Sequence, residues 1–404
     1  MWFRDISYGQ WRVLLAAQLG GMMDAMDVML YAFALTTLQE VFKIGSDTAG
    51  LIASSTLLAS AVGGIAFGVI ADRVGRTRAL IATILIYSFC SAATATATSL
   101  WQLMLWRMLL GIGLGGEWSS GAVLVSESWP AQHRGKAIGL MQSGWALGYI
   151  AAALLSAFIL PRYGWRVLFL AGLLPALLTV WIRRAVPESP VWLQGVTSRG
   201  GSLQEIFKGE LGRKTLCATL LTASVLFAYW GLFTWLPGFL SSPVERGGAG
   251  MTIVKTAGWI IPLQIGAFFG YVSFGFIADR IGRRPAFIIF LVAAALLVPC
   301  YGLMGRSQIV LMLLGPLIGF FGSGYFSLFG AMLAELYPTR VRATGQGFAY
   351  NAGRAVSALA PYVIGWLALS TGVGGALLVT SVFFLLGATL VLLLPETRGQ
   401  KIDF

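Results

Sequence analysis

Runs of roughly twenty apolar residues follow one another along this chain, separated by short polar breaks, and no other feature limits its fold so severely. A helix of about 20 residues crosses the hydrocarbon core of a bilayer, and the runs lack the ten-residue alternation of a membrane barrel. Twelve segments are read at 13–38, 48–71, 79–98, 101–125, 137–160, 165–182, 214–240, 253–278, 285–304, 308–333, 344–369 and 374–394. The chain is 57% hydrophobic and 11% charged, more apolar surface than a soluble protein of 404 residues could bury. The expected fold class is therefore all-α integral membrane.

A net charge of +12 would suit a nucleic-acid partner, but the charges are placed otherwise. Of the 28 Lys and Arg residues, Arg107 and Arg354 fall inside segments, and Lys43, Arg162, Arg166, Arg246, Lys255 and Arg306 lie on one face. The rest lie on the face that holds both termini. This positive-inside bias predicts a multi-pass protein with cytoplasmic termini, expected in a bacterial inner membrane, and makes anionic lipid the partner of the basic loops. Cys90, Cys217 and Cys300 have no paired spacing, and the single His133 is in a loop, so neither a disulfide framework nor a metal site is expected. Glycine-rich stretches such as GGIAFG have the spacing of close helix packing and lack that of a nucleotide loop. With no nucleophile and base constellation, no enzyme is expected, and no cofactor beyond protons as coupling ion.

Self-comparison gives a repeat. GVIADRVGRTRAL at 68–80 returns as GFIADRIGRRPAF at 275–287, and SESWPAQHRGKAIG at 126–139 as AELYPTRVRATGQG at 334–347. Pro187-Glu188-Ser189 returns as Pro395-Glu396-Thr397, a shift of 395 − 187 = 208. The domains are read as a six-helix bundle at 1–184, a polar linker at 185–213 and a second bundle at 214–404. Six crossings per half give both halves one orientation, the parallel repeat in which a substrate site lies between halves near the midplane.

The G-x-x-x-D-R-x-G-R pattern in both halves, Arg107 leading RMLLGIGLGGEWSSG, and the PESP and PETRG helix endings resemble the major facilitator superfamily over essentially the whole length. QWRVLLAAQLGGMMDAMD, VSESWPAQHRGKAIG and ATGQGFAYNAGRAVSALAP are similar to its sialic acid and monocarboxylate proton-symporter branch and to neighbouring aromatic acid symporters. The resemblance implies a secondary active transporter that carries a small organic anion, a carboxylate or acidic sugar, with protons by alternating access, as a monomer. Two positions depart: Ala25 stands where Asp-Gly-x-Asp is usual, and the two additional central helices of some sialic acid transporters are lacking. The latter moves the expected substrate from sialic acid to small organic anions in general. A neutral sugar porter is the alternative, prompted by PESP and PETRG.

The repeat sorts the charges. Asp72, Arg73 and Arg76, with Asp279, Arg280 and Arg283, occur twice at segment ends and are expected to form ion-pair latches that gate the carrier. Glu127 with Arg134 and Glu335 with Arg342 repeat in the same way and take the same reading. By contrast, Asp24, Asp27, Arg107 and Glu117 shift by 208 onto Leu232, Trp235, Gly315 and Tyr325, and Arg354 shifts back onto Ala146. Charges inside a membrane segment and present in one half only are not required by the scaffold, so they point to substrate or proton handling.

Asp24 and Asp27, three residues apart, share one helix face with Tyr31. Two acids so close in a weakly solvated place do not both ionise readily, which makes them the proton-coupling candidates with Glu117, Asp27 being the deeper. Arg107 cannot shed its proton and needs a carboxylate or an anionic ligand; Glu117 is about 15 Å further along its helix, too far to serve. Arg354 follows Tyr350 and Asn351 on one face and is the expected carboxylate fork. Trp118, Gln142 and Tyr325 complete the expected substrate lining.

Overall fold

The computed structural model describes residues 6–130, 133–188, 193, 204–304, 307–338 and 341–396. Secondary structure among them is helical, because in lipid each backbone N–H and C=O must find its partner within the segment. The α-helices are α1 (Tyr8–Phe42), α2 (Ser46–Val74), α3 (Arg76–Thr94), α4 (Leu100–Ser128), α5 (Arg134–Leu170), α6 (Leu174–Ala185), α7 (Gly209–Ser241), α8 (Ile253–Ile281), α9 (Arg283–Leu303), α10 (Gln308–Ser323), α11 (Phe326–Glu335), α12 (Arg342–Ser357) and α13 (Ala360–Leu392).

These stretches make twelve crossings. Lys136–Ile182 and Thr344–Leu392 are 47 and 49 residues long, about twice one crossing, and each is bent at a glycine: Gly164 at φ 77°, ψ 175° and Gly372 at φ 73°, ψ 164°. The two bends are 372 − 164 = 208 residues apart, so the repeat in the sequence is a repeat of backbone conformation. Gly75 (φ 108°) between α2 and α3 and Gly282 (φ 105°) between α8 and α9 repeat in the same manner. Only glycine adopts these angles without strain, and here they turn the chain directly from one membrane helix into the next. α10 and α11 are a single crossing interrupted at Gly324 and Tyr325.

Helix ends follow from local residues. Ser7 and Gln10 form a reciprocal capping box at α1, Gln10 Oε1 accepting from the Ser7 N–H at 2.8 Å. Ser99, Thr252 and Ser307 accept from the first turns of α4, α8 and α10. α1 continues helically through Gly20 and Gly21, so neither aspartate caps a broken helix there. α7 starts at Gly209, five residues before the expected 214; of the linker at 185–213, residues 189–192 and 194–203 lie outside the described residues.

The halves meet along several helix pairs. Tyr149 of α5 donates to Phe233 O of α7 at 2.8 Å, and the Tyr362 N–H of α13 donates to Ser54 Oγ of α2 at 3.0 Å. Tyr31 reaches Ala49 O at 2.7 Å, and Trp235 Nε1 reaches Pro361 O at 2.9 Å. All four bonds lie away from the Gly75 and Gly282 turns; those of Tyr149 and Tyr362 join the halves there, whereas those of Tyr31 and Trp235 each close within one half.

Candidate functional site

α1, α2, α4, α5, α7 and α12 surround a cavity between the halves containing about 470 Å³ of atom-free space. Its walls are Asp24, Val28, Met29, Tyr31 and Ala32 of α1, Ala53, Thr56, Leu57 and Ser60 of α2, Arg107 and Leu114 of α4, Trp145 of α5, Trp230 and Thr234 of α7, and Arg354 of α12. A second cavity of about 300 Å³ lies within the first half, lined by Ala17, Gly21, Asp24, Glu117, Gly121, Met141, Gln142 and Trp145.

The five charges found in one half only are all buried: Asp24 is 3% exposed, Asp27 0%, Arg107 1%, Glu117 2% and Arg354 9%. Among the described residues, none of the five has an opposite charge within 4.0 Å. Asp24 Oδ1, Asp27 Oδ2 and Arg107 Nε and Nη1 also lack any hydrogen-bond partner. Unpaired buried charge is costly, and several such groups around one cavity mark a site that a ligand completes. The Arg107 guanidinium sits 4.9 Å from the Tyr31 ring centroid and 6.0 Å from that of Phe169, an aromatic setting that leaves its donors toward the cavity unused.

The two aspartates part company. Three residues advance a helix by about 300°, leaving a 60° offset. Asp24 faces both cavities, with Arg354 on one side and Glu117 on the other. Asp27 turns instead toward α3, where Ser91 Oγ donates to its Oδ1 at 3.0 Å, and it lies against Gly172 with Arg107 as its nearest cationic influence. Asp27 is the deeper of the two, as expected, and Asp24 is the one that lines both cavities.

On α12 the expected shared face is also divided. Arg354 lines the central cavity, and Tyr350 is within electrostatic reach of it and of Asp24. Asn351 donates to Gly347 O of its own helix at 2.9 Å and lies against Gly64 of α2, away from the cavity lining. Tyr31 lines the cavity, Gln142 lines the second one, and Tyr325 is packed among Phe287, Phe326 and Tyr271 with its hydroxyl unpartnered, outside both linings. The side chain of Trp118 lies outside the described residues.

At the turns, the expected latches fall within the described residues only in part. Arg76 pairs with Glu127 at 3.3 Å, linking α3 to α4, and Arg283 pairs with Glu335 at 3.4 Å, linking α9 to α11. Asp279 pairs with Arg283 at 3.2 Å one turn away. Each pair closes within its own half, so these contacts brace a bundle and do not clasp the two together. Arg73 and Arg280 are exposed and form no ion pair among the described residues, and the side chains of Asp72, Arg134 and Arg342 lie outside them. The sequence reading gave no role to Glu188 and Glu396. Glu188 accepts from the Arg76 and Thr77 N–H groups at 2.8 and 3.0 Å, and Glu396 from those of Arg283 and Arg284 at 2.9 and 3.0 Å. A carboxylate on exposed helix N–H groups is favoured by the helix dipole, and the repeat uses it twice.

Trp145 and Trp230 were also missed. Their rings meet edge to face across the halves, with centroids 5.7 Å apart and an interplanar angle of 87°. Shifted by 208 they fall on Gly353 and Met22, so the test that found the charges, extended to large aromatics, would have flagged both.

Twelve membrane crossings in two parallel halves around a central cavity that holds buried charges define a solute transporter. The chain belongs to the Major Facilitator Superfamily, whose match covers residues 18–263 and 251–403. It is 34% identical over 412 residues to a probable 4-methylmuconolactone transporter of Cupriavidus pinatubonensis, covering 100% of this chain and 94% of the relative. It is 30% identical over 404 residues to the sialic acid transporter NanX of Escherichia coli, covering 99% and 97%. That relative is matched almost end to end, so lacking two central helices does not separate this chain from sialic acid transporters. Among solved structures, the xylose transporter XylE of E. coli in a partially occluded inward-open conformation superposes with a TM-score of 0.78 at 18% identity, covering 98% of this chain and 100% of that one; it shows the shared fold.

Proposed function

We propose that this protein carries a small organic anion across the membrane together with protons, by alternating access. The observation that carries the reading is Arg354, a buried guanidinium on the wall of the cavity that Arg107 also lines, with no ion pair among the described residues. Two permanent cations in a low-dielectric cavity call for an anion, and a guanidinium fork holds a carboxylate bidentately. The relatives named for 4-methylmuconolactone and sialic acid agree with a small organic solute.

The proton is carried at Asp24 and Glu117, with Asp27 holding Arg107 in place from behind. When the anion takes over Arg354, Asp24 loses its counter-charge and a proton replaces it, so the loaded carrier has a neutral centre that can rock. The braced bundles move as units, with Asp72, Arg73, Arg134, Asp279, Arg280 and Arg342 at the turns closing the cytoplasmic end. In this reading the protein works as a monomer in a bacterial inner membrane, with both termini cytoplasmic and anionic lipid against its basic loops.

A thermal-shift screen of the purified protein tests the anion reading, since a ligand that binds only the folded state at 100 times its Kd adds about 2.7 kcal/mol. Carboxylates should raise the melting temperature and neutral sugars should not. Stabilisation by sugars alone, unchanged in Arg354→Gln, overturns the reading.

A further inference from the structure

The central and second cavities have only Asp24 and Trp145 in common among their described lining residues. On the central side stand both arginines. On the other side stand Glu117 and Gln142, and the described lining contains no cation. Glu117 lies over Gly20 of α1, where any Cβ would overlap its Oε1, and Gly121 lies beneath it, so two glycines make its room. Glu117 is 2% exposed, lines that space, and has no ion pair or hydrogen bond among the described residues. A buried carboxylate against a chamber without positive charge calls for a small cation, and the proton is the one that needs no coordination shell.

We propose that the second cavity is a separate proton-loading chamber and that Trp145 is the partition keeping it from the substrate cavity. This rests on the proton-coupled reading above. Asp24 is the single acid touching both spaces; besides Glu117 of α4 it is faced by Asp27 of its own helix, Arg354 and Tyr350 of α12, and Tyr87 of α3. A proton arriving over Glu117 therefore stops at Asp24 while substrate meets Arg354 from the other side. The indole of Trp145 is held by its edge-to-face contact with Trp230, and its Nε1 has no hydrogen-bond partner, so the ring is fixed by the opposing half and not by a bond within its own. When the halves part, that support is withdrawn; when they close, the wall between the two spaces is restored.

The test needs no substrate. Vesicles loaded with a pH-sensitive dye and containing the purified protein are given a potassium diffusion potential, and internal acidification is followed. Wild type and Trp145→Phe should stay as tight as protein-free vesicles, and Trp145→Ala should lose its tightness. Trp230→Leu, which removes the support and leaves the indole, should leak as well, and it serves if Trp145→Ala does not fold. Adding Glu117→Gln to either leaking variant should restore tightness. Tight vesicles with both Trp145→Ala and Trp230→Leu in folded form overturn the partition, and a leak that survives Glu117→Gln overturns the chamber. If instead wild type takes up no protons with any of a panel of carboxylates, the proton-coupled reading itself fails, whatever the leak assay shows.

Discussion

The turns at Gly75 and Gly282 and the cavity between the halves use the same charged residue types to opposite ends. At the turns each described acid meets an arginine or a helix N-terminus, and the arrangement appears twice: Arg76 with Glu127 and Glu188, Arg283 with Glu335 and Glu396. In the cavity stand Asp24, Arg107 and Arg354, with Asp27 and Glu117 behind them; among the described residues none of these five buried charges has a partner within ion-pair distance, and none has a counterpart in the other half. A scaffold satisfies its own charges and can be duplicated. A site leaves charges unsatisfied for a ligand, and duplicating it would serve nothing. The contrast breaks if a cavity residue behaves like a brace, or a brace like a cavity residue.

The largest effect is expected at Arg354. Removing one member of a buried charge pair costs about 2–5 kcal/mol, so Arg354→Gln should weaken anion binding about 30-fold or more, read as loss of carboxylate-induced thermal stabilisation. The melting temperature of the empty protein should hold or rise, because an unpaired buried charge has been removed. A lower melting temperature with unchanged binding would make Arg354 a brace.

Asp24 and Asp27 come next, and they differ. Asp24→Asn should abolish proton-driven accumulation in vesicles while leaving substrate exchange, since the neutral amide fixes the carrier in its protonated charge state. Asp27→Asn keeps an acceptor for Ser91 and should keep accumulation, with binding weakened several-fold through a less well-held Arg107, about 1 kcal/mol. Accumulation lost at Asp27 and retained at Asp24 would return the proton role to Asp27.

That distinction shows where the sequence stops. The twelve segments, the repeat and the half-specific charges were legible because each is a property of one stretch or of two stretches compared. Gly164 and Gly372 even fall between the segments read at 137–160 and 165–182 and at 344–369 and 374–394. What a side chain faces depends on a third helix: three-residue spacing put both aspartates on one side of α1, yet only packing shows that 60° separates a cavity from Ser91. Glu127 and Glu335 were read with arginines of their own loops, whose side chains lie outside the described residues, and the fold adds to each an arginine about fifty positions upstream, which no single stretch displays. Trp145 and Trp230 stood out least, since in a chain with 14 Trp an indole in a membrane segment carries no signal until the other half is seen opposite it.

The braces should yield to stability measurements and spare binding. Glu188→Ala and Glu396→Ala each strip a carboxylate from two N–H groups at a helix start, a loss of about 1–2 kcal/mol. The two should lower the melting temperature by similar amounts, because the repeat builds the same cap twice, and the affinity for a stabilising carboxylate should not move. Unequal losses would show that the halves, alike in backbone, are unequally braced.

The smallest effect is expected at Asp279. Its bond to Arg283 is an i,i+4 pair with the acid side chain 66% exposed, and such pairs contribute about 0.3–0.5 kcal/mol at most. Arg283 keeps Glu335 on its buried side at 3.4 Å, so Asp279→Asn leaves the brace standing. The melting temperature should therefore stay within measurement error, whereas Glu335→Gln, which removes the more buried partner, should lower it. If Asp279→Asn slows transport while stability and carboxylate binding are unchanged, the turn acts during the rocking step as well as in the resting bundle, and the division between brace and site ends at that residue.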